Sequence, residues 1–301
     1  MEEIREGSGG AKRAMSRAAL QFGVQGSVDK EDSMKVAIMF MSVPKDASGQ
    51  PMDWRKCLAD CKRWGLEGVD LFVRVLQGIN MTVAGMKQFL KDAGLKPSIY
   101  CVPTDLVSPD PNVRKQSLDM VRHGIASCQE LGLKQLFSHG GQHNNKGPEA
   151  FARYVDGLSQ AAERCAAVGI TLSIENAGTL CGTMEELHQC VQSVKPSLSV
   201  TLDTGNFVLA GSEPHQATEL LAPKTVHVHL KNFVPAPGKT PRPFEYCPLD
   251  APNAIVKYIR VRDILAARGY DGYLSFEPEG QGKAPTEGSL RFISKLVRKE
   301  I

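Results

Sequence analysis

From Met34 onward, short β-branched or apolar runs alternate with longer segments whose apolar residues recur every three or four positions. The short runs suit strands buried on both faces, and the longer period suits amphipathic helices. Strands are predicted at residues 36–43, 69–75, 98–102, 135–137, 170–174, 199–202, 225–230 and 273–276. Helices are predicted from about residue 51 to 66, then at 81–93, 111–131, 148–168, 184–194, 216–221, 254–268 and 289–299. In the first of these, Trp54, Cys57, Leu58, Cys61 and Leu66 fall near one face. Gly65, Gly94, Gly132, Gly169 and Gly269 each stand just before a strand, where αβ loops place a left-handed C-cap. Strict alternation of strand and helix argues for parallel βαβ units.

The chain has 301 residues. A TIM (β/α)8 barrel takes about 250 residues, so one such barrel with a short N-terminal extension is the expected α/β fold. An open doubly wound sheet is the alternative, but no G-x-G-x-x-G follows the first strand. The expected division is an extension, flexible or loosely docked, over residues 1–33, and the barrel over 34–301. The extension carries Lys12, Arg13 and Arg17, but lacks paired arginines of an export signal and has too short an apolar segment for a secretory core.

Composition narrows the function classes. Hydrophobic residues make up 42% and charged residues 23%, enough for a core with an ordinary polar surface. No apolar stretch is long enough to span a bilayer, so no membrane partner is expected. A net charge of +3 is too slight for a nucleic-acid partner, which wants a concentrated basic face. The eight cysteines are scattered without a C-x2-C pair, which points to reduced thiols and a cytoplasmic location.

The chemistry gathers at strand ends. In a barrel of this kind the C-terminal ends of the strands form the active-site mouth. Strand five runs Leu172-Ser173-Ile174-Glu175-Asn176, and strand six Val200-Thr201-Leu202-Asp203-Thr204-Gly205-Asn206. Strand seven runs Val226-His227-Val228-His229-Leu230-Lys231-Asn232, and strand eight Leu274-Ser275-Phe276-Glu277-Pro278-Glu279-Gly280. A single acid closing an apolar strand could be half of a salt bridge. Three carboxylates and a histidine on four neighbouring strands repel one another unless a cation sits between them. Such an oxygen-rich set suits Mn2+, Mg2+ or Co2+ better than a structural Zn2+.

The segments Ile174-Glu175-Asn176, Leu202-Asp203-Thr204-Gly205, His227-Val228-His229-Leu230-Lys231 and Ser275-Phe276-Glu277 resemble the metal-binding strands of the sugar phosphate isomerase/epimerase family, whose barrel is similar to xylose isomerase and to the endonuclease IV group. Gly65-x-x-Gly68-Val69-Asp70, leading into strand two, resembles it as well. The likeness spans about residues 34–298. It implies one divalent metal ion, Mn2+ first and Mg2+, Co2+ or Zn2+ as alternatives, held by Glu175, Asp203, His229 and Glu277. It also implies that Glu175 and Glu277 act as acid and base on a carbohydrate. A metal chelated by a carbonyl and a neighbouring hydroxyl acidifies the C–H between them and stabilises the enediolate. One carboxylate then removes the proton, and the other returns one.

Other polar residues extend the expected site. His139 ends strand four, and with Asn206 and Lys231 it is expected to contact substrate. His143 falls farther along the same loop. His227 shares the inward parity of His229 one layer deeper, as a core group or a partner of a ligand. His123, His188 and His215 fall on or beside helices and are expected at the surface. Relatives in the resembled family often carry histidine where Asn206 stands. Asparagine is a poor metal ligand, which argues against a multi-zinc, DNA-cleaving site. The proline-rich stretch 233–252 is expected to be a rigid rim or stiff connection. The expected function is a metal-dependent isomerase or epimerase of a keto-sugar, sugar phosphate or related polyol. A lyase dehydrating an inosose-like hydroxy-ketone, and a non-catalytic binding barrel, are the alternatives. Pairing into a homo-oligomer is left open, since no helix advertises it.

Overall fold

A computed structural model describes residues 34–46, 48–140, 146–278 and 285–301. The extension expected at 1–33 lies outside the described residues, as do His143 and Glu279. Eight parallel strands close into a barrel: β1 (Lys35–Met39), β2 (Gly68–Phe72), β3 (Lys96–Pro103), β4 (Gln135–His139), β5 (Thr171–Glu175), β6 (Ser199–Asp203), β7 (Thr225–Leu230) and β10 (Tyr273–Phe276). Each pairs with its sequence neighbours around the ring, with β7 passing directly to β10 and β10 closing onto β1. The sequence expectation of a TIM barrel therefore holds, and the doubly wound sheet does not.

Helices lie between the strands: α1 (Trp54–Arg63), α2 (Val73–Gly78), α3 (Val83–Asp92), α4 (Pro111–Leu131), α5 (Pro148–Ala166), α6 (Met184–Ser193), α7 (Thr204–Ala210), α8 (Pro214–Leu221), α9 (Tyr258–Ala267) and α10 (Glu287–Val297). Their starts are marked chemically. Asp53, Thr82, Asp110 and Thr286 accept N-terminal backbone N–H groups of their helices, and Thr183 with Glu186 forms a reciprocal capping box. The glycines predicted as C-caps all have positive φ, between 64° and 103°; Gly132 ends α4 in this way. Among the described residues no helix is long and apolar enough to cross a membrane.

The alternating side chains of the strands divide the interior. One set, including Ile38, Val69, Leu136, Ile174, Leu202, Val228 and Phe276, joins the buried faces of the helices in the main core. The other set points into the barrel. On the β1–β4 side it forms a small apolar cluster of Met39, Phe72, Ile99, Cys101 and Phe137. On the β5–β10 side it is polar: Ser173 pairs with Thr201 at 2.9 Å, and His227, His229 and Ser275 are fully or almost fully buried. Apart from Asp70 on β2, the barrel thus sorts its interior into an apolar half and a polar half, and the polar half leads to the mouth.

Three sequence expectations are corrected. The apolar run 69–75 is split: β2 stops at Phe72, and Val73–Gly78 is helix, burying Leu76. A short apolar run fits either element, and periodicity alone does not separate them. Strand β1 ends at Met39, because Ser42 and Pro44 follow where the ladder would continue. The proline-rich stretch contains a hairpin, β8 (Asn232–Pro235) against β9 (Phe244–Cys247), antiparallel and separate from the barrel sheet. Its base is fastened by Asn232, whose side chain donates to Leu249 and Val256 carbonyls and accepts from the Phe233 and Val256 N–H groups.

Candidate metal centre

Strand period places the candidate ligands. Glu175 is the last residue of β5 and Asp203 the last of β6. His229 is the fifth residue of β7, and Glu277 follows β10 directly. All four are buried, and one ligand atom from each lies within 4.8 Å of the others. His229 Nδ1 is 2.6 Å from Glu175 Oε1 and 3.3 Å from Glu277 Oε2. Lys231, the next residue of the same parity toward the mouth, lies 2.9 Å from Asp203 Oδ2 and 3.3 Å from Glu277 Oε1.

The two oxygens of Asp203 have separate tasks. Oδ1 accepts the Asn206 N–H and caps α7, which begins on the next residue. Oδ2 is buried against the Lys231 ammonium, and Glu277 Oε2 against His229 Nδ1. Buried carboxylates are costly unless positive groups face them, and the convergence of these acids with His229 gives a divalent cation a set of ligands. The donor set is three carboxylates and one imidazole, fitting a hard or borderline divalent ion. Asn176 fixes the frame from the neighbouring strand: its amide donates to the Asp203 carbonyl and accepts from the Asp203 N–H, both at 2.8 Å. Tyr258 of α9 donates to the Lys231 carbonyl at 2.7 Å and lies 3.0 Å from Thr204 Oγ1.

Charge crowding has measurable consequences. Burial, with repulsion from Glu175 and Glu277, pushes the Asp203 carboxyl up to about 8, against the pull of Lys231. Burial also opposes ionisation of Glu277, but Lys231 and His229 hold it well below the usual carboxylate range. Burial likewise disfavours an imidazolium at His229, yet hydrogen bonds to Asp70, Glu175 and Glu277 raise it well above its ordinary value. Near pH 7 the metal-free site therefore keeps protons on Asp203 and His229. An entering divalent ion must displace them, so affinity rises with pH through 8, about tenfold per unit for each proton displaced. Calorimetry of Mn2+ binding in buffers of different ionisation enthalpy should show net proton release at pH 7. An affinity unchanged between pH 6 and 8 would contradict this assignment.

Above the acids opens a cavity of about 430 Å3, within the range of small-molecule sites. The expected contacts His139, Asn206 and Lys231 all line it, together with Glu175 and Glu277. His139 packs against Phe72 and Phe137, at ring distances of 5.8 and 5.7 Å. The β5–α6 connection lines one side through Ala177, Gly178 and Thr179. Arg242, which the sequence did not single out, reaches the rim from the turn between β8 and β9.

The remaining histidines are placed as follows. His227 is completely buried beneath His229 and directs Nε2 to Asp70. His123 is exposed and His188 half-buried. His215, expected at the surface, is buried: Nδ1 meets the N-cap Glu213 and Nε2 accepts the Lys257 N–H at 3.2 Å, so both ring nitrogens are satisfied between α8 and the start of α9. Asp70, noted in the sequence only within the Gly65-x-x-Gly68-Val69-Asp70 entry to strand two, was not expected at the site. Its signal was an acid in the middle of the apolar strand Gly68-Val69-Asp70-Leu71-Phe72.

Comparison with known proteins agrees with this architecture. The family model for the xylose isomerase-like TIM barrel matches residues 58–296. Similar solved structures include a xylose isomerase-like TIM barrel protein from Mycobacterium smegmatis in complex with magnesium (TM-score 0.70, 17% identity, covering 89% of this chain and 98% of that one). An L-ribulose 3-epimerase has TM-score 0.69 and 18% identity, covering 88% and 95%. The probable 3-DHS dehydratase AsbF of Bacillus anthracis has TM-score 0.68 and 16% identity, covering 88% and 99%. A curated relative, a probable endonuclease 4 of Thermosipho melanesiensis, is 27% identical over 150 residues, 48% of this chain and 50% of that protein. The chain thus spans half the length of that relative.

Proposed function

Since the chain belongs to the xylose isomerase-like TIM barrel family, we propose that it is a divalent-metal-dependent isomerase or epimerase of a keto-sugar, sugar phosphate or related polyol. The observation that carries this reading is the placement of Glu175 and Glu277. Both carboxylates approach His229 Nδ1, and both line the floor of the same polar cavity. Glu175, Asp203, His229 and Glu277 would hold the ion, Mn2+ first, with Mg2+, Co2+ and Zn2+ as alternatives. Bound there, the ion supplies Lewis-acid polarisation of a substrate carbonyl and so acidifies the neighbouring C–H.

The side chains do the rest. One glutamate takes the proton from the carbon between carbonyl and hydroxyl. The other returns a proton to the opposite face of that carbon in an epimerisation, or to the adjacent carbon in an isomerisation. Lys231, buried between Asp203 and Glu277, balances their charge and offers N–H groups to a substrate oxygen. His139 and Asn206 orient the hydroxyls farther out. The exposed guanidinium of Arg242 on the rim suits an anionic end of the substrate. Arg242→Gln is expected to raise KM several-fold for phosphorylated ketoses and to leave their kcat, and the kinetics of the neutral sugars, nearly unchanged. Equal effects on both substrate classes would remove Arg242 from substrate selection.

The likeness to a probable 3-DHS dehydratase favours one second reading, a dehydratase that shares the proton abstraction but expels a β-hydroxyl. The endonuclease reading is disfavoured by Asn206 and by the small net charge of +3. The eight cysteines are free and buried, which fits a reducing, cytoplasmic setting. The test is a panel of ketoses, their phosphates and cyclic hydroxy-ketones incubated with Mn2+-loaded protein in D2O. Isomerase or epimerase activity gives products of unchanged composition that carry solvent deuterium at the reacting carbon. A dehydratase gives products lighter by one water, and a panel showing neither exchange nor loss of water would overturn the enzymatic reading.

A further inference from the structure

Beneath the four candidate ligands lies a second buried group, centred on Asp70 of β2. Its Oδ2 is 2.9 Å from His227 Nε2, 3.2 Å from His229 Nε2 and 2.7 Å from Ser275 Oγ, and its Oδ1 accepts from Ser98. One carboxylate thus gathers donors from β3, β7 and β10, across the barrel axis. Asp70 itself is buried, and so are all its partners. An ionised carboxylate accepts about four hydrogen bonds, and Asp70 is offered that many.

The consequence falls on His229. Its ring has two faces of contact: Nε2 toward Asp70, and Nδ1 toward Glu175 and Glu277. A neutral imidazole carries a proton on one nitrogen and a lone pair on the other, and its partners decide which. An acceptor at Nε2 keeps the proton there, so the proton that an entering metal ion displaces is the one at Nδ1, where the acids converge. We propose that Asp70 is a positioning residue that holds His229 as the Nε2–H tautomer, so that Nδ1 is the metal ligand. The ring is also held from its sides, by Phe137 at 5.7 Å and by His227 at 5.3 Å, each close to perpendicular. His227 meets the same oxygen through its own Nε2, while its Nδ1 is buried without a hydrogen bond. Asp70 therefore orients both imidazoles.

Asp70, His227 and His229 could themselves be taken for a second three-ligand cation site, since their ligand atoms also lie within 4.8 Å. The hydrogen-bond distances at Oδ2 and the added hydroxyls of Ser98 and Ser275 favour a filled hydrogen-bond network there instead.

This inference rests on the metal-centre reading, and the test separates the two. Full-length protein is titrated with Zn2+, and the histidine rings are observed by long-range 1H–15N correlation. The expected result is one Zn2+ per chain, a protonated Nε2 on His229, and a metal-shifted Nδ1. Asp70→Asn is expected to weaken Zn2+ and Co2+ binding by about 10- to 100-fold and to alter the visible spectrum of the Co2+ form. Ser275→Ala, which removes a different donor from the same oxygen, should change affinity by less than a few-fold. Metal on His229 Nε2, two ions per chain, or equal weakening in Asp70→Asn and Ser275→Ala would each overturn the proposal while leaving the metal centre standing. Zinc binding that does not involve His229 would overturn both. Should Asp70→Asn fail to fold, the ring spectrum of the unaltered protein still decides.

Discussion

Glu277→Gln lowers turnover by about a thousandfold, within the range expected when a general acid or base is removed. Glutamine preserves the volume and can still offer a carbonyl oxygen, but it cannot take up or deliver a proton at neutral pH. The effect should fall on kcat, with substrate binding retained, because the residue is a buried member of the cavity lining and not an exposed group at its rim. Glu175→Gln should behave alike, since both carboxylates approach the same imidazole nitrogen and line the same cavity. Solvent-deuterium exchange separates the two. Whichever glutamate takes the proton from a given substrate should lose exchange when replaced. The variant of the other should still exchange while failing to release the epimer. Metal content is measured in both variants, so that a lost ion is not mistaken for lost proton transfer. Turnover within tenfold of the unaltered protein, with metal retained, would remove the glutamate pair from the chemistry.

Gly205→Ala destabilises the protein by about 1–3 kcal/mol and weakens the metal centre at the same time. The strain arises from close approach. A Cβ at Gly205 would sit 2.4 Å from Lys231 Cγ and 2.7 Å from the Lys231 carbonyl oxygen. The lysine stem could shift, but the backbone of β7 is held by its pairing to β6 and by the Tyr258 hydroxyl. Either α7 withdraws, pulling on Asp203 whose Oδ1 caps it, or Lys231 moves away from Asp203 and Glu277. Thermal melting should show the loss of stability, and Mn2+ titration the loss of affinity. A variant as stable as the parent, with unchanged metal binding, would mean that the α7–β7 contact is looser than described.

Much of the site could be read from the chain because strand period and barrel closure are regular. Glu175, Asp203, His229 and Glu277 stand at the ends of four strands that are consecutive around the ring, so their convergence follows from the alternation alone. Asp70 is different. It lies 157 residues from His227 and 205 from Ser275, and only closure through β1 and β10 brings it beneath the site. Its place in an apolar strand marked it as unusual, but not as the partner of His229. Arg242 was obscured for another reason. The stretch around it reads as a proline-rich loop, and the hairpin that carries it has only four residues in each strand. The turn signal Pro237-Gly238 was present, without enough alternation on either side to predict pairing. His215 looked like a surface residue because its two partners come from an adjacent cap and from a backbone N–H 42 residues away.

The most direct test of the central claim is metal analysis of protein purified without chelator and then incubated with Mn2+. Unaltered protein is compared with an Asp203→Ala/His229→Ala double variant. About one equivalent of divalent metal in the unaltered protein, absent from a double variant that remains folded by circular dichroism, is the predicted result. Failure of the unaltered protein to bind Mn2+, Mg2+, Co2+ or Zn2+ would contradict the account. The four-strand constellation would then be a buried polar network, and the enzymatic reading would fall with it.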